Sequence, residues 1–267
     1  MGNGRGYALV TGASQGLGAA LALELARQGF GLLLTSRRAD ALADVGRQAG
    51  ALNGGRVQWL AADLFEPDAP ARITAWAEGM GVPVTCLVNN AGQGLWGLFD
   101  ELSLGDQQRM MRLNMEVPVE LARRLLPRLK QARRGYVLNI SSMSAYTAMA
   151  GFAVYAASKS FVLRWSRALR GELSGSSVTV TAVCPGSIIT GFTERAGMQA
   201  LDRLARRFGT GPAPVARAAV KAMLKGKAEV VPGLMNLLTA RIQGCLPDRL
   251  NERLTDTIYL RRLPRKR

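Results

Sequence analysis

The chain has 267 residues, 48% of them apolar, which is enough to bury a substantial core and too apolar for a disordered chain. It contains no histidine, which excludes a Ser-His-Asp hydrolase and removes the commonest zinc ligand, so no metal site is expected. The net charge is +16, and from Arg195 to Arg267 sixteen Lys/Arg stand against five acids. Such an end either attracts nucleic acid, anionic lipid or an anionic substrate, or is simply a solvated basic surface.

In chain order, Tyr7–Val10 reads as a short buried strand. A helix with Leu17, Leu21 and Leu25 at four-residue spacing follows and ends at Gly29. Leu32–Thr35, Val57–Leu60, Cys86–Val88, Tyr136–Ile140, Val178–Val183 and Glu229–Val231 read as further strands. Helical patterns over Ala39–Ala49, Pro70–Glu78, Asp106–Lys130 and Phe152–Leu173 lie between them. This alternation predicts an α/β domain of the Rossmann type. It would be a doubly wound parallel sheet of about seven strands with helices on both faces.

A single domain over residues 1–267 is expected. Residues 187–226 would form an insertion over the ligand crevice, and residues 234–267 a basic amphipathic extension. No apolar run approaches the ~18–20 residues that span a bilayer. The opening Met1–Gly6 lacks the apolar stretch of a signal peptide, so a cytoplasmic location is expected. Cys86, Cys184 and Cys245 are far apart, and buried hydrophobes are expected rather than redox or metal chemistry.

The first strand-to-helix turn runs Thr11-Gly12-Ala13-Ser14-Gln15-Gly16-Leu17-Gly18. Gly12 permits the tight turn, Gly16 lets a pyrophosphate approach the backbone, and Gly18 lets the helix pack close to the strand. The helix N-terminus then offers free N–H groups to phosphates. Gly12, Ser14, Gln15, Gly16, Leu17 and Gly18 are thus candidate cofactor contacts. The second strand ends in Thr35-Ser36-Arg37-Arg38, with no acid before Asp40. An acid there would take the ribose 2′-hydroxyl of NAD. Arg37, with Ser36 and Arg38, instead suits the 2′-phosphate of NADP(H).

Tyr155 and Lys159 lie four apart at the start of a predicted helix and so share a face. A free tyrosine, with a pKa of about 10, is a poor acid at neutral pH, and a neighbouring ammonium favours its phenolate. Ser141 and Ser142 end the fifth strand on the same sheet edge. Asn89-Asn90-Ala91-Gly92 ends the fourth strand, Pro185-Gly186 ends the sixth and Thr190 follows. Asn114 lies inside the long helix between the fourth and fifth strands.

These motifs, in order over roughly residues 7–192, resemble the single-domain branch of the short-chain dehydrogenase/reductase family. The resemblance implies that Tyr155 is the acid or base at a carbonyl/alcohol pair. It implies that Ser142 holds the substrate oxygen, with Ser141 the alternative. Lys159 would bind the nicotinamide ribose and depress the tyrosine's pKa, and Asn114 would hold a water of the proton relay. Asn89 and Gly92, with Asn90 and Ala91, would flank the adenine and ribose side. Asp63 and Leu64 would contact the adenine, and Pro185, Gly186, Ile188 and Thr190 would line the nicotinamide end. The four-residue step from Tyr155 to Lys159 argues against the family's enoyl-reductase branch.

Leu95, Trp96, Phe99, Met143, Met149, Phe152, Ile188, Ile189, Phe192 and Met198 suggest an apolar substrate, of ketone, ketosteroid or 3-ketoacyl type, or pack on one another. A homodimer or homotetramer is implied by the resemblance, and no specific nucleic-acid partner is expected. Leu234, Leu237, Leu238, Ile242 and Leu246 repeat at helical spacing before Pro247 and a basic end. That stripe suits a helix over the crevice or at a dimer contact, or peripheral contact with an anionic membrane. The alternative to an enzyme is a non-catalytic NADP-binding regulator docking through this tail, although such a module has no need of Ser142, Tyr155 and Lys159.

Overall fold

The computed structural model describes residues 5–189, 196–197, 209–260 and 263. Seven parallel strands form one sheet in the order β3-β2-β1-β4-β5-β6-β7. They are β1 Tyr7–Thr11, β2 Gly31–Ser36, β3 Val57–Ala61, β4 Val84–Asn89, β5 Gly135–Ile140, β6 Val178–Val183 and β7 Glu229–Val230. The order reverses between β1 and β4, and in such sheets a crevice opens at the carboxyl ends beside that switch point.

The period of two in the strands divides the core. Ala8, Val10, Leu32 and Leu34 point to one face, where α1 Gly16–Arg27 and α2 Ala39–Asn53 cover them. Leu9, Leu33, Leu87 and Val137 point to the other face, under α3 Ala69–Gly79 and α5 Val117–Gln131. Both faces are therefore dry, which is why these strands read as near-continuous apolar runs.

Two regions depart from the sequence expectation. The long helix expected over Asp106–Lys130 is broken into α4 Leu104–Met111, a π-helical turn Arg112–Glu116 and α5. Pro118 has no N–H to give the carbonyl of Asn114, so the regular ladder cannot pass this point and a wider turn forms. The expected insertion over residues 187–226 is also smaller. Its second half is the helix α7 Pro212–Leu224, whose Val215, Ala219 and Met223 are buried with Leu21 and Leu25 of α1. It is the crossover that returns the chain from β6 to β7, so its apolar face belongs to the core.

After α6 Ala153–Glu172 and α7, the extension folds as α8 Leu234–Cys245 and α9 Asp248–Ile258. Asn251 Nδ2 ties α9 to the carbonyls of Gln243 (2.8 Å) and Leu246 (3.3 Å), and Thr255 Oγ1 donates to Ala148 O at 3.3 Å. Among the described residues no helix is long and apolar enough to cross a membrane. Cys86 and Cys184 are buried and free.

Candidate active site

A crevice of about 910 Å³ follows the carboxyl edge of the sheet, a size typical of small-molecule sites. The turn after β1 forms its floor. Gly12 and Gly16 adopt φ of +64° and +56°, a region only glycine enters freely. At Gly18 a Cβ would stand 2.1 Å from the carbonyl oxygen of Gly12, so α1 approaches the strand closely only because Gly18 has no side chain. Asn90 braces this turn by donating to the carbonyls of Thr11 (2.9 Å) and Gly12 (3.3 Å). Gly12, Ser14, Gln15, Gly16, Leu17 and Gly18 all line the crevice.

Ser36, Arg37, Arg38, Asp63 and Leu64 line the next section. Arg38 donates to Gln15 Oε1 at 2.9 Å, which joins the end of β2 to the phosphate turn. Ser36 Oγ is buried with no hydrogen-bond partner, an unmet polar group beside two guanidinium side chains. Phe65 and Arg109 were missed from the sequence. Arg37 and Arg109 both lie over the Phe65 ring, at 5.7 and 4.5 Å from its centroid. Arg109 sits on α4, remote in sequence from β2, and no local motif marks it.

Lys159 and Asn114 converge beyond this point. A Cβ on Gly92 would be 3.2 Å from Asn114 Oδ1 and 3.3 Å from Lys159 Nζ, so that glycine leaves the room in which the two meet. Asn114 is 1% exposed; its amide donates to Gln93 O (2.9 Å) and Ser158 Oγ (3.0 Å) and accepts from Gln93 N (3.0 Å). The π turn aims it there. Lys159 is buried, and Nζ donates to Ile140 O at 3.0 Å.

Ser141 and Ser142 diverge in use. Ser141 Oγ donates to the carbonyl of Lys159 at 2.7 Å and so fixes the lysine's backbone. Ser142 Oγ accepts from Ser144 N at 3.1 Å, and Ser142, Ser144 and Tyr155 face the crevice together. Burial pushes the Tyr155 phenol up to about 12, and hydrogen bonds from Ser142 and Ser144 work against that rise. Burial also pulls the Lys159 ammonium down to about 8, partly offset by the Cys184 sulfur. The expected lowering of the tyrosine is therefore absent among the chain's own groups. Lys159 Nζ is 5.9 Å from the Tyr155 ring centroid, and desolvation dominates both residues.

Two further expectations need correction. Asn89 points away from the crevice and donates to Asn139 Oδ1 (2.8 Å) and Pro118 O (3.4 Å) inside the molecule, while Asn90, Ala91 and Gly92 line the crevice. Of the apolar set, Met143, Met149, Phe152 and Ile188 reach the crevice. Leu95 and Phe99 line a separate apolar cavity of about 370 Å³ that also borders Tyr155. Pro185 and Gly186 line the crevice with Ile188, whereas Thr190, Phe192 and Met198 lie outside the described residues.

The far wall comes from the C-terminal helices. Asn236, Thr239 and Gln243 of α8, Thr255 of α9 and Tyr259 border the crevice, and none was anticipated. A Cβ on Gly186 would be 2.5 Å from Asn236 Oδ1, so α8 rests directly on the loop after β6. Tyr259 meets Phe152 edge-on at 5.6 Å, and Phe152 packs on Tyr155 at 5.7 Å.

A parallel 3-2-1-4-5-6-7 sheet, a glycine phosphate turn at its switch point and a Tyr-Lys-Ser group at the same edge define a Rossmann-type oxidoreductase. The family model for short chain dehydrogenase matches residues 6–200, and the chain belongs to that family. It is 32% identical over 226 residues to the ketoacyl reductase HetN of Nostoc sp., covering 84% of this chain and 77% of that protein. It is 33% identical over 192 residues to 17-beta-hydroxysteroid dehydrogenase type 3 of Danio rerio, covering 70% of this chain and 62% of that longer protein. Among solved structures, a short-chain dehydrogenase from Sphingobium yanoikuyae in complex with NADPH superposes with a TM-score of 0.78 at 29% identity. That match covers 90% of this chain and 94% of the other.

Proposed function

We propose that this chain is an NADPH-dependent reductase of an apolar carbonyl compound, of ketone, ketosteroid or 3-ketoacyl type, and catalyses the reverse oxidation of the alcohol. The observation that carries this reading is the placement of the Tyr155 phenol with Ser142 and Ser144 in the same crevice as the phosphate turn.

The residues present fit a dinucleotide. Gly12, Ser14, Gln15, Gly16, Leu17 and Gly18 would hold the pyrophosphate, since the positive-φ turn at Gly12 and Gly16 leads into the free N–H groups at the start of α1. Ser36, Arg37 and Arg38 would hold a 2′-phosphate, and the unpartnered Ser36 Oγ supports a ligand there. Asp63 and Leu64 would meet the adenine, Asn90, Ala91 and Gly92 the adjoining ribose side, and Pro185, Gly186 and Ile188 the nicotinamide. When bound, the cofactor supplies the hydride.

The chain's own groups handle the proton. Ser142 donates to the carbonyl oxygen and orients it. Tyr155 O–H gives its proton to that oxygen as negative charge develops, and the hydroxyls of Ser142 and Ser144 stabilise the phenolate left behind. Lys159, whose Nζ is held by the Ile140 carbonyl, would bind the ribose, and Asn114 would anchor a water that returns a proton from solvent. Met143, Met149 and Phe152 exclude water and favour an apolar substituent. The relatives named for ketoacyl and hydroxysteroid chemistry support this substrate class. A homodimer or homotetramer follows from the family resemblance.

The test is an NADPH-oxidation screen across aldehydes, ketosteroids and 3-ketoacyl thioesters. Turnover of apolar ketones that disappears in Tyr155→Phe, with NADPH still bound, supports the reading. Turnover undiminished in that variant overturns it, and cofactor binding without turnover of any of these substrates points to the regulator.

A further inference from the structure

Three guanidiniums gather at the β2 end of the crevice, and they are not equally engaged. Arg37, Arg38 and Arg109 all border it, the first two from the turn after β2 and the third from α4. Arg38 already donates to Gln15 Oε1 at 2.9 Å. Arg37 and Arg109 instead share one aromatic ring, Phe65, at 5.7 and 4.5 Å from its centroid. A ring attracts a guanidinium without taking up its N–H donors, so both arginines keep theirs for an anion. Phe65 is itself placed by the site, because its N–H donates to Asp63 Oδ1 at 3.1 Å.

The next arginine along the chain shows the contrast. Arg112 donates to Glu116 Oε2 at 2.8 Å and to Pro67 O at 3.0 Å, so its charge is answered within the protein. Among the described residues no carboxylate lies within ion-pair distance of Arg37, Arg38 or Arg109. Two acids do border this section. Asp63 is engaged by the Phe65 N–H, and Asp106 lies in the first turn of α4, where the helix dipole favours a carboxylate. Arg109 follows Asp106 by one turn yet lies over Phe65 instead. Beside these cations Ser36 Oγ is buried and has no partner. A lone hydroxyl next to guanidiniums without carboxylates suits a phosphate, which accepts from all of them. An adenine ring alone would leave the charge unanswered.

From this geometry we infer that Arg109 is a specificity residue for the 2′-phosphate of the cofactor, joining Arg37 across the Phe65 ring. The inference rests on the proposed NADPH reading of the same site and adds to it a residue from α4, an element that carries no cofactor motif. Phe65 is a positioning residue. It holds both guanidiniums at the crevice before the ligand arrives, so less side-chain freedom is lost on binding.

The experiment is calorimetric titration of the full-length protein with adenosine 2′,5′-bisphosphate and with 5′-AMP, which differ only in the 2′-phosphate and carry no nicotinamide. Arg109→Leu is expected to weaken the bisphosphate about tenfold, as loss of a charge-assisted contact implies, and 5′-AMP by less than about twofold. Arg109→Lys keeps the charge without the planar fork and is expected to fall between wild type and Arg109→Leu. Phe65→Leu is expected to weaken the bisphosphate by roughly threefold, because the cations remain but lose their shared ring. Unchanged bisphosphate affinity in Arg109→Leu overturns the inference. Equal weakening of both ligands by that variant also overturns it and makes Arg109 an adenine contact or a structural prop. The underlying reading has its own readout. Wild type that binds the bisphosphate no tighter than 5′-AMP, or binds neither, refutes the NADP assignment and the role of Arg109 with it. A wild-type preference that Arg37→Asp removes and Arg109→Leu retains refutes the role of Arg109 alone.

Discussion

At the β1–β2 end of the crevice the chain presents backbone: positive-φ glycines, a helix N-terminus and a close approach at Gly18 that any side chain would block. At the α8–α9 end it presents side chains from two late helices, which reach the rest of the molecule through Thr255 to Ala148, Asn236 against Gly186 and the following Tyr259 against Phe152. In the proposed function the first end holds a feature common to every dinucleotide, so its residues are fixed by geometry. The second would border the variable part of the substrate, so its residues would be constrained only by that ligand and the outer surface. Tyr155 stands where the two meet, braced by Lys159 on one side and by Phe152 and Tyr259 on the other.

The sharpest break of this division is at the junction. Tyr155→Phe is expected to lower kcat by ~10²–10⁴ while the NADPH Kd changes by less than about twofold, measured by steady-state kinetics and fluorescence titration. Next in size is the buried lysine. Its pKa near 8 in the folded protein, below the usual 10.5, means the unfolded chain binds more protons between those values. The cost of burying the ammonium is therefore present below pH 8 and is relieved as pH rises to 10.5. Chemical denaturation of wild type minus Lys159→Met is expected to show a rise of roughly 3 kcal/mol across that window, and a flat difference would contradict it.

At the cofactor end, Arg37→Asp is expected to weaken NADPH binding by ~10–100-fold and to spare NADH, as loss of a charge-assisted contact implies. Equal weakening of both would remove the argument for NADP. Gly18→Ala is expected to cost about 1–3 kcal/mol of stability, because the new methyl meets the Gly12 carbonyl. A drop in melting temperature should accompany weaker binding of both dinucleotides. At the substrate end, Tyr259→Ala is expected to raise KM between about twofold and tenfold with the NADPH Kd unmoved, since it removes one aromatic contact over Phe152. A large effect on NADPH binding would erase the distinction between the two ends.

This contrast also explains which residues could be read in advance. The phosphate turn, Ser36–Arg38, Ser142, Tyr155 and Lys159 sit at ends of strongly apolar strands or at fixed helical spacing, so local pattern locates them on one edge. Asn89 and Asn90 show the limit: Asn89, the last residue of β4, turns into the core against Asn139, and Asn90, the next residue, turns to the crevice. Arg109 and Tyr259 reach the crevice only because α4 and the C-terminal segment fold back over it. The segment 187–226 misled because its alanine-rich second half carries core contacts to α1 that no local signal announces.

The sequence by itself determined the parallel α/β sheet, the phosphate turn and the Tyr155–Lys159 pair, because each is written in short-range periodicity or in glycine's freedom at a single turn. Only the tertiary structure decided the π turn that aims Asn114, the Phe65–Arg109 stack and the outward turn of the Leu234, Leu238 and Ile242 stripe of α8. A helix's apolar stripe is visible in its sequence, but whether that stripe faces the core or the outside depends on the neighbours it packs against.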